Sequence, residues 1–369
     1  MEIMSSLPPS APRSICLLRL SAIGDVCHAV ATVQEIQRHY PGIAITWILG
    51  KVEAALLEGL PDVEIIVYDK KQGWDGIKTV RQQLGKRRFD VLLHMQIAFR
   101  ASILSLFIRA DKKYGFDRAR AGEGQWLFTN RRIKEQQHAH VLESFQAFGE
   151  AIGVPAPPHP LWQIPVNEKD KSAIAPLFDS GKPTLVIVPA ASKAERNWTI
   201  EGYASIADHA VNRGMQVILC GGPTPLENNL AQQIEQATQG DITNYVGQTN
   251  LKQLLALLGQ AHLVLAPDTG PAHMAVTQGT PVIGLYCHSN PRRTGPYLWP
   301  DYVINHYDRL CQEQHGKPWQ QLPWATRVKG AELMAQITVD EVKAMVDRVL
   351  HEQNILPADK SSGSNLPHG

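Results

Sequence analysis

Residues 14–26 read SICLLRLSAIGDV. The run SICLLRL (14–20) is short and almost wholly apolar, which marks a strand buried on both faces, as strands are in a parallel sheet. Small residues at 21–24 make a turn, and from Asp25 an apolar periodicity near 3.6 runs to about Tyr40, where Pro41-Gly42 stops it. Working outward, the unit repeats. Strands are expected at 43–49, 64–68 and 91–94, with helices at 52–59 and 76–86 between them. A βαβ series of this kind implies a parallel sheet with helices on both faces.

Five prolines, at 155, 157, 158, 160 and 165, then interrupt the pattern and read as an interdomain linker. A second series follows, with strands at 184–188, 215–220, 242–246, 263–266 and 281–286 and helices at 199–212, 226–238, 251–258 and 271–278. A last helix is expected at 339–351, capped by Thr338. The expected organisation is an N-terminal Rossmann-like domain over 14–160, a C-terminal one over 166–337, a helix over 338–353 packing back on the first domain, and a disordered tail over 354–369. The first ten or so residues are expected to be loose. Two doubly wound domains place their ligand sites at the carboxyl ends of the strands, and a cleft between them is the expected site.

The bulk numbers agree with two domains: 369 residues, 44% of them hydrophobic. With 36 basic and 35 acidic residues the net charge is +1, which gives no case for nucleic-acid binding but leaves a local basic patch open. The cysteines, at 16, 27, 220, 287 and 311, form no CxxC and are odd in number, so a reduced cytoplasmic chain is expected, with no metal and no cofactor. The N-terminus lacks a signal-peptide core, and the longest apolar stretch, 97–110, is broken by Arg100. Neither GxxxxGK[ST] nor HExxH occurs, and no GxGxxG follows a strand.

Four strand–helix loops carry candidate chemistry. In the first, Asp25 stands at a helix start, where two roles fit it: an N-cap, or a general base that takes a proton from a sugar hydroxyl as the hydroxyl attacks an anomeric carbon. A helix start keeps the carboxylate ionised and so makes it a weaker base. In the second, PDTGPAH (267–273), Asp268, Thr269 and Gly270 open a helix whose free amides make an anion site, with His273 a turn further on; ordinary capping is the alternative. The third, 190–198, offers Ser192, Lys193 and Arg196 to the charge on a leaving diphosphate, or is a solvated loop. In the fourth, Gly221-Gly222-Pro223 precedes Glu227, placed as a ribose ligand would be, or as a surface helix residue.

LRLSAIGDVCHA (18–29) together with PDTGPAHMAVTQGTPVIGLY (267–286) resembles glycosyltransferase family 9, the bacterial heptosyltransferases, and the likeness extends from about Ser14 to about Leu350. The resemblance implies a GT-B fold, inversion of configuration without a metal, ADP-L-glycero-β-D-manno-heptose as donor and the lipopolysaccharide inner core as acceptor. It makes Asp25 the catalytic aspartate. Arg196-Asn197-Trp198 becomes a Lys/Arg-x-Trp phosphate motif, Glu227 the ribose ligand, and Asp268, Thr269, Gly270 and His273 the D-T-G-x-x-H donor loop. Segment 119–140 resembles heptosyltransferase I, which adds the first heptose to Kdo, and so points to Arg120 and, behind it, His138 as acceptor ligands; Arg120 as a plain surface charge is the alternative. Arginine stands at 196 where lysine is usual, alanines precede Ser192 where hydroxyls are usual, and CHSNPRRTG (287–295), with Arg292 and Arg293, has no assigned role.

The expected partners are therefore ADP-heptose, Kdo-lipid A and, peripherally, the cytoplasmic leaflet of the inner membrane. That leaflet would be met by a basic rim of Lys70, Lys71, Lys86, Arg87, Arg88, Arg100, Arg109, Lys112 and Lys113 beside Trp74. The rivals are a family member with another heptose acceptor or another nucleotide-sugar, a catalytically silent nucleotide-binding protein, and a sugar-nucleotide epimerase, which would need a second acid/base group that the sequence does not show.

Overall fold

The computed structural model describes residues 11–179 and 181–356. The chain divides into two compact units after Val166, at the end of the proline-rich segment.

The first unit contains six strands: β1 (Ser14–Leu18), β2 (Ala44–Gly50), β3 (Val63–Tyr68), β4 (Phe89–His94), β5 (Ala110–Gly115) and β6 (Arg131–Arg132). They form one parallel sheet in the order β3-β2-β1-β4-β5-β6. The central strands are apolar because helices cover both faces. Ile15, Cys16, Leu17 and Leu18 of β1 are all fully buried. Strand order reverses between β1 and β4, and ligands of such sheets bind beyond the carboxyl ends at that reversal. Helix Ile23–His39, which carries Asp25, leaves β1 at this point.

The second unit repeats the plan with β7 (Thr184–Ile187), β8 (Gln216–Leu219), β9 (Thr243–Asn244), β10 (Leu263–Pro267), β11 (Val282–Tyr286) and β12 (Val303–Asn305), in the order β12-β11-β10-β7-β8-β9. Its reversal falls between β10 and β7, so the loop with Arg196, after β7, and the loop with Asp268, after β10, share one switch point.

Three strands have no apolar run in the sequence. β5 reads ADKKYG and lies toward the sheet edge, where its faces are largely open; β6 and β12 are only two and three residues long. Helices Phe99–Ser105, Val141–Glu150, Glu168–Ile174 and Tyr307–His315 likewise add to the expected set. Among the described residues no helix is long and apolar enough to cross a membrane.

The expected packing of the last helix on the first domain is corrected. Helix Val339–Glu352 buries Val342, Val346, Val349 and Leu350 in the core of the second unit. Its Asp347 also holds His209 at 3.0 Å and Arg213 at 2.7 Å from helix Ile200–Asn212. An apolar stripe packs on the nearest complementary surface, and here its own unit supplies it. Of the expected disordered tail, Ile355 and Leu356 pack against that same core, and 357–369 lie outside the described residues, as does most of the loose N-terminus.

Candidate active site

Asp25 sits three residues into helix Ile23–His39, whose N-cap residue is Ala22. It therefore does not cap forward. Its Oδ2 accepts the Ala22 N–H at 3.2 Å and lies 2.5 Å from Arg19 Nη2. Every one of these contacts is to Oδ2. The Asp25 side chain is 31% exposed, so a second carboxylate oxygen is left to take a proton from a ligand. Arg19 itself is buried, donates through Nη1 to the Met95 carbonyl at 2.5 Å, and lies over the Phe145 ring at 5.1 Å. Gln96, just past β4, accepts the Leu20 and Ser21 amides at 3.1 and 3.3 Å and so fixes the turn that leads to Asp25. In the sequence Arg19 is one residue of the strand–helix loop with no role of its own. Its signal was a cation closing a buried apolar strand, which is costly unless something pairs with it.

In the second unit Asp268 is the hub. Its Oδ2 accepts from Ser289 Oγ at 2.6 Å and stands 3.4 Å from Arg196 Nη1, which also donates to the Asp268 carbonyl at 3.1 Å. His273 Nε2 is 3.9 Å from Oδ1. Burial drives the Asp268 carboxyl up, but His273, Arg196 and Ser289 together outweigh that, and it lies below the ordinary carboxylate value. Arg196 Nε is buried with no hydrogen-bond partner. Thr269 is the N-cap of helix Gly270–Thr277, and its hydroxyl donates to the Ala190 carbonyl at 3.4 Å rather than into the helix. A half-satisfied guanidinium beside a helix start is suited to an anion, since both contribute donors with no acceptor.

The family model for glycosyltransferase family 9 (heptosyltransferase) matches residues 77–324, well over half of the chain. The chain belongs to glycosyltransferase family 9. It is 49% identical over 332 residues to the lipopolysaccharide core heptosyltransferase OpsX of Haemophilus influenzae, covering 90% of this chain and 95% of that protein. It is 24% identical over 299 residues to lipopolysaccharide heptosyltransferase 1 of Pseudomonas aeruginosa, covering 77% and 81%. Among solved structures, E. coli ADP-heptose lps heptosyltransferase II matches with a TM-score of 0.71 at 20% identity, over 93% of this chain and 99% of that one. E. coli heptosyltransferase WaaC with ADP matches with 0.68 at 20%, over 92% and 98%. The fold is of the GT-B type, and the protein is an enzyme, a heptosyltransferase.

The remaining sequence candidates of this family 9 transferase are placed as follows. Ser192 and Lys193 are exposed, Lys193 lying 3.8 Å from Glu195. Glu227 is the third residue of helix Pro225–Ala237, and both its oxygens are engaged locally: Oε1 with the Gly222 N–H at 2.8 Å, Oε2 with Thr224 Oγ1 at 2.6 Å. This is a capping box, so a sugar hydroxyl would have to share those oxygens. Arg120 is partly buried, paired through Nε with Asp117, donating through Nη1 to Ser144 Oγ at 2.7 Å, and lying over Phe116 at 5.6 Å. That is an anchored cation, not a loose surface charge. His138 is exposed, with a left-handed backbone at φ 56°. In the loop after β11, Arg292 is tied to Asp308 at 2.8 and 2.9 Å and stacked 4.6 Å over Trp319, so its place is structural. From that loop Ser289 reaches Asp268, and the buried His288 stands 3.1 Å from Glu195 of the Arg196 loop.

The expected basic rim does not exist as one edge. Lys86, Arg87 and Arg88 immediately precede β4 and so lie at the amino end of the sheet, opposite Asp25. Arg87 is paired there with Glu64 and Arg88 with Asp111, each at 2.5 Å. Lys113 turns in to the Ser105 carbonyl at 3.0 Å. Only Lys70, Lys71, Trp74 and Arg100 follow strands on the Asp25 edge. Among the described residues no group of three His, Cys, Asp or Glu is gathered to hold a metal.

Proposed function

We propose that this heptosyltransferase moves heptose from ADP-L-glycero-β-D-manno-heptose to Kdo of the lipopolysaccharide inner core, with inversion and without a metal ion. The observation that carries the chemistry is the division of labour at Asp25: Oδ2 is held by Arg19 and the Ala22 amide, and Oδ1 is left to accept a proton. The Kdo hydroxyl attacks the anomeric carbon on the face opposite ADP. Its proton passes to Asp25, the new C–O bond forms as the bond to the β-phosphate oxygen breaks, and ADP leaves with the electron pair.

The first unit supplies the base and, through Arg120 and His138, the contacts to an anionic acceptor. The second supplies the donor contacts. Arg196 with its unpartnered Nε, Lys193, Ser192 and the helix start at Thr269 and Gly270 take up the charge growing on ADP, as a divalent ion would elsewhere. Asp268, fixed by Ser289, accepts hydroxyls of the sugar, His273 meets the diphosphate, and Glu227 shares its capping oxygens with the ribose. An acceptor in the lipopolysaccharide core is supported by the likeness to the Haemophilus influenzae core heptosyltransferase; Kdo as the sugar that receives the heptose is part of the proposal. On this reading the enzyme works at the cytoplasmic face of the inner membrane.

Two measurements test the reading. ADP should raise the melting temperature more than UDP, GDP or CMP at equal concentration, by mass action on the folded state. Heptose transfer to a Kdo-bearing acceptor should persist in excess EDTA; activity lost with EDTA and restored by Mg²⁺ or Mn²⁺ would overturn the metal-free mechanism, and preference for another nucleotide would overturn the donor.

A further inference from the structure

Three of the large apolar side chains exposed on the first unit lie on two segments that are tied together. Phe99 is 55% exposed, Trp126 51% and Leu127 66%. Phe99 opens helix Phe99–Ser105 after β4, while Trp126 and Leu127 lie in the short helical turn after β5. The two segments are tied together. The Phe99 N–H donates to Glu123 Oε2 at 2.5 Å, and the Phe99 and Phe128 rings meet edge-on at 6.1 Å.

The turn is also pinned to the reacting edge. Gln125, fully buried, donates through Nε2 to the carbonyls of His94 at 2.8 Å and Gln96 at 3.0 Å, and accepts the Phe116 N–H at 3.0 Å. Gln96 in turn holds the Leu20 and Ser21 amides before Asp25. Trp126 and Leu127 therefore project from a rigid support on the Asp25 edge, and their exposure is not that of a floppy loop. The same segments and the strand that follows them carry Arg100, Arg118, Arg131 and Arg132, all exposed, none of which forms an ion pair among the described residues. Glu123, in the loop before the turn, is engaged by the Phe99 amide.

We propose that Phe99, Trp126 and Leu127, with the arginines of the same segments, form the foot on which the enzyme sits on an anionic lipid bilayer. Apolar and aromatic groups enter the headgroup region while the cations meet lipid phosphates. The charge selects the occupant: an exposed apolar ledge whose own segments carry unpaired arginines is complementary to an anionic interface and not to a neutral or basic one. The foot replaces the basic run at 86–88, which faces the other end of the sheet and is already paired. It rests on the proposed reaction in one respect, that a lipid-borne acceptor places the bilayer on the Asp25 edge.

The test is flotation of the full-length protein with vesicles of phosphatidylcholine and phosphatidylglycerol in equal parts, and with phosphatidylcholine alone. Wild type should float with the anionic vesicles and weaken with salt. Trp126→Ala with Leu127→Ala should lower binding roughly tenfold or more, and Arg131→Ala with Arg132→Ala by about fivefold per arginine. Leu226→Ala, an exposed leucine of the second unit, should change nothing. Brominated lipid should quench part of the wild-type tryptophan emission, and Trp126→Phe, which keeps the fold, should abolish that part. Transfer to a deacylated Kdo acceptor should be unchanged in the Trp126/Leu127 variant, so failure of the reaction scheme and failure of the foot are separately visible. Absence of flotation by wild type, flotation of the Trp126/Leu127 variant at wild-type strength, an equal loss in Leu226→Ala, or quenching that survives Trp126→Phe would each overturn the proposal.

Discussion

Arg196→Met separates what this arginine does for the fold from what it does for the reaction. The side chain is 15% exposed and stands 3.4 Å from the Asp268 carboxylate, itself 11% exposed. Methionine keeps most of the length and removes the charge. Removing one member of a buried pair costs about 3–5 kcal/mol because the other charge is stranded. Asp268 keeps the Ser289 hydroxyl at 2.6 Å and His273 at 3.9 Å, so the cost falls at or just below the bottom of that range, about 2–3 kcal/mol. For a unit of this size that is a fall in melting temperature of roughly 5–10 °C. Adding Asp268→Asn removes the stranded charge while leaving an acceptor for Ser289, and should return most of the lost stability. Transfer behaves otherwise: loss of a preorganised donor to the leaving group costs about 10²–10³ in rate, and Asp268→Asn cannot restore it. Differential scanning calorimetry and ADP-release kinetics on the single and double variants read the two effects apart. A single variant that transfers heptose at more than about a tenth of the wild-type rate, or a double variant no more stable than the single, would refute the reasoning.

Asp25→Asn should lower transfer by about 10²–10⁴ while ADP still raises the melting temperature, because the amide keeps the shape but takes no proton; a smaller loss removes Asp25 as base. Arg120→Ala should raise the KM for the acceptor and leave ADP affinity unchanged; it should also cost stability, since Asp117 is buried and loses its partner, and an unchanged KM would leave Arg120 a purely structural residue. Stability should fall on acidification below about pH 6.5, where His94 charges in the unfolded chain. Burial holds its folded pKa down at about 3, so in that window the unfolded state binds the extra proton and stability is lost as pH drops, at up to about 1.4 kcal/mol per pH unit. His94→Gln should flatten that slope by close to one proton in pH-dependent denaturant melts, and an unchanged slope would assign it to other groups.

The sequence by itself determined the parts of this protein whose physics is local. Buried parallel strands must be apolar along their whole length, so β1, β2, β10 and β11 were legible as runs. A helix whose first turn holds Gly24 or Gly270 shows itself by its small residues and its period, so the loops holding Asp25 and Asp268–His273 could be found and their family likeness recognised. β5, β6 and β12 escaped because edge and very short strands bury little and carry no apolar signature. The last helix was visible as an amphipathic stripe, but a stripe does not say which core will take it, and only the structure sends Val342 and Val346 to the second unit. The same holds at the site. That Ser289 rather than Arg292 reaches Asp268 follows from β10 and β11 lying side by side, which brings together residues 21 positions apart. That Arg19 takes Asp25 Oδ2, and leaves the other oxygen to the substrate, depends on a side-chain direction set by Met95, Gln96 and Phe145 from other parts of the chain. Spacing along a chain identifies groups capable of chemistry, whereas which atom of each is already occupied is a matter of three-dimensional packing.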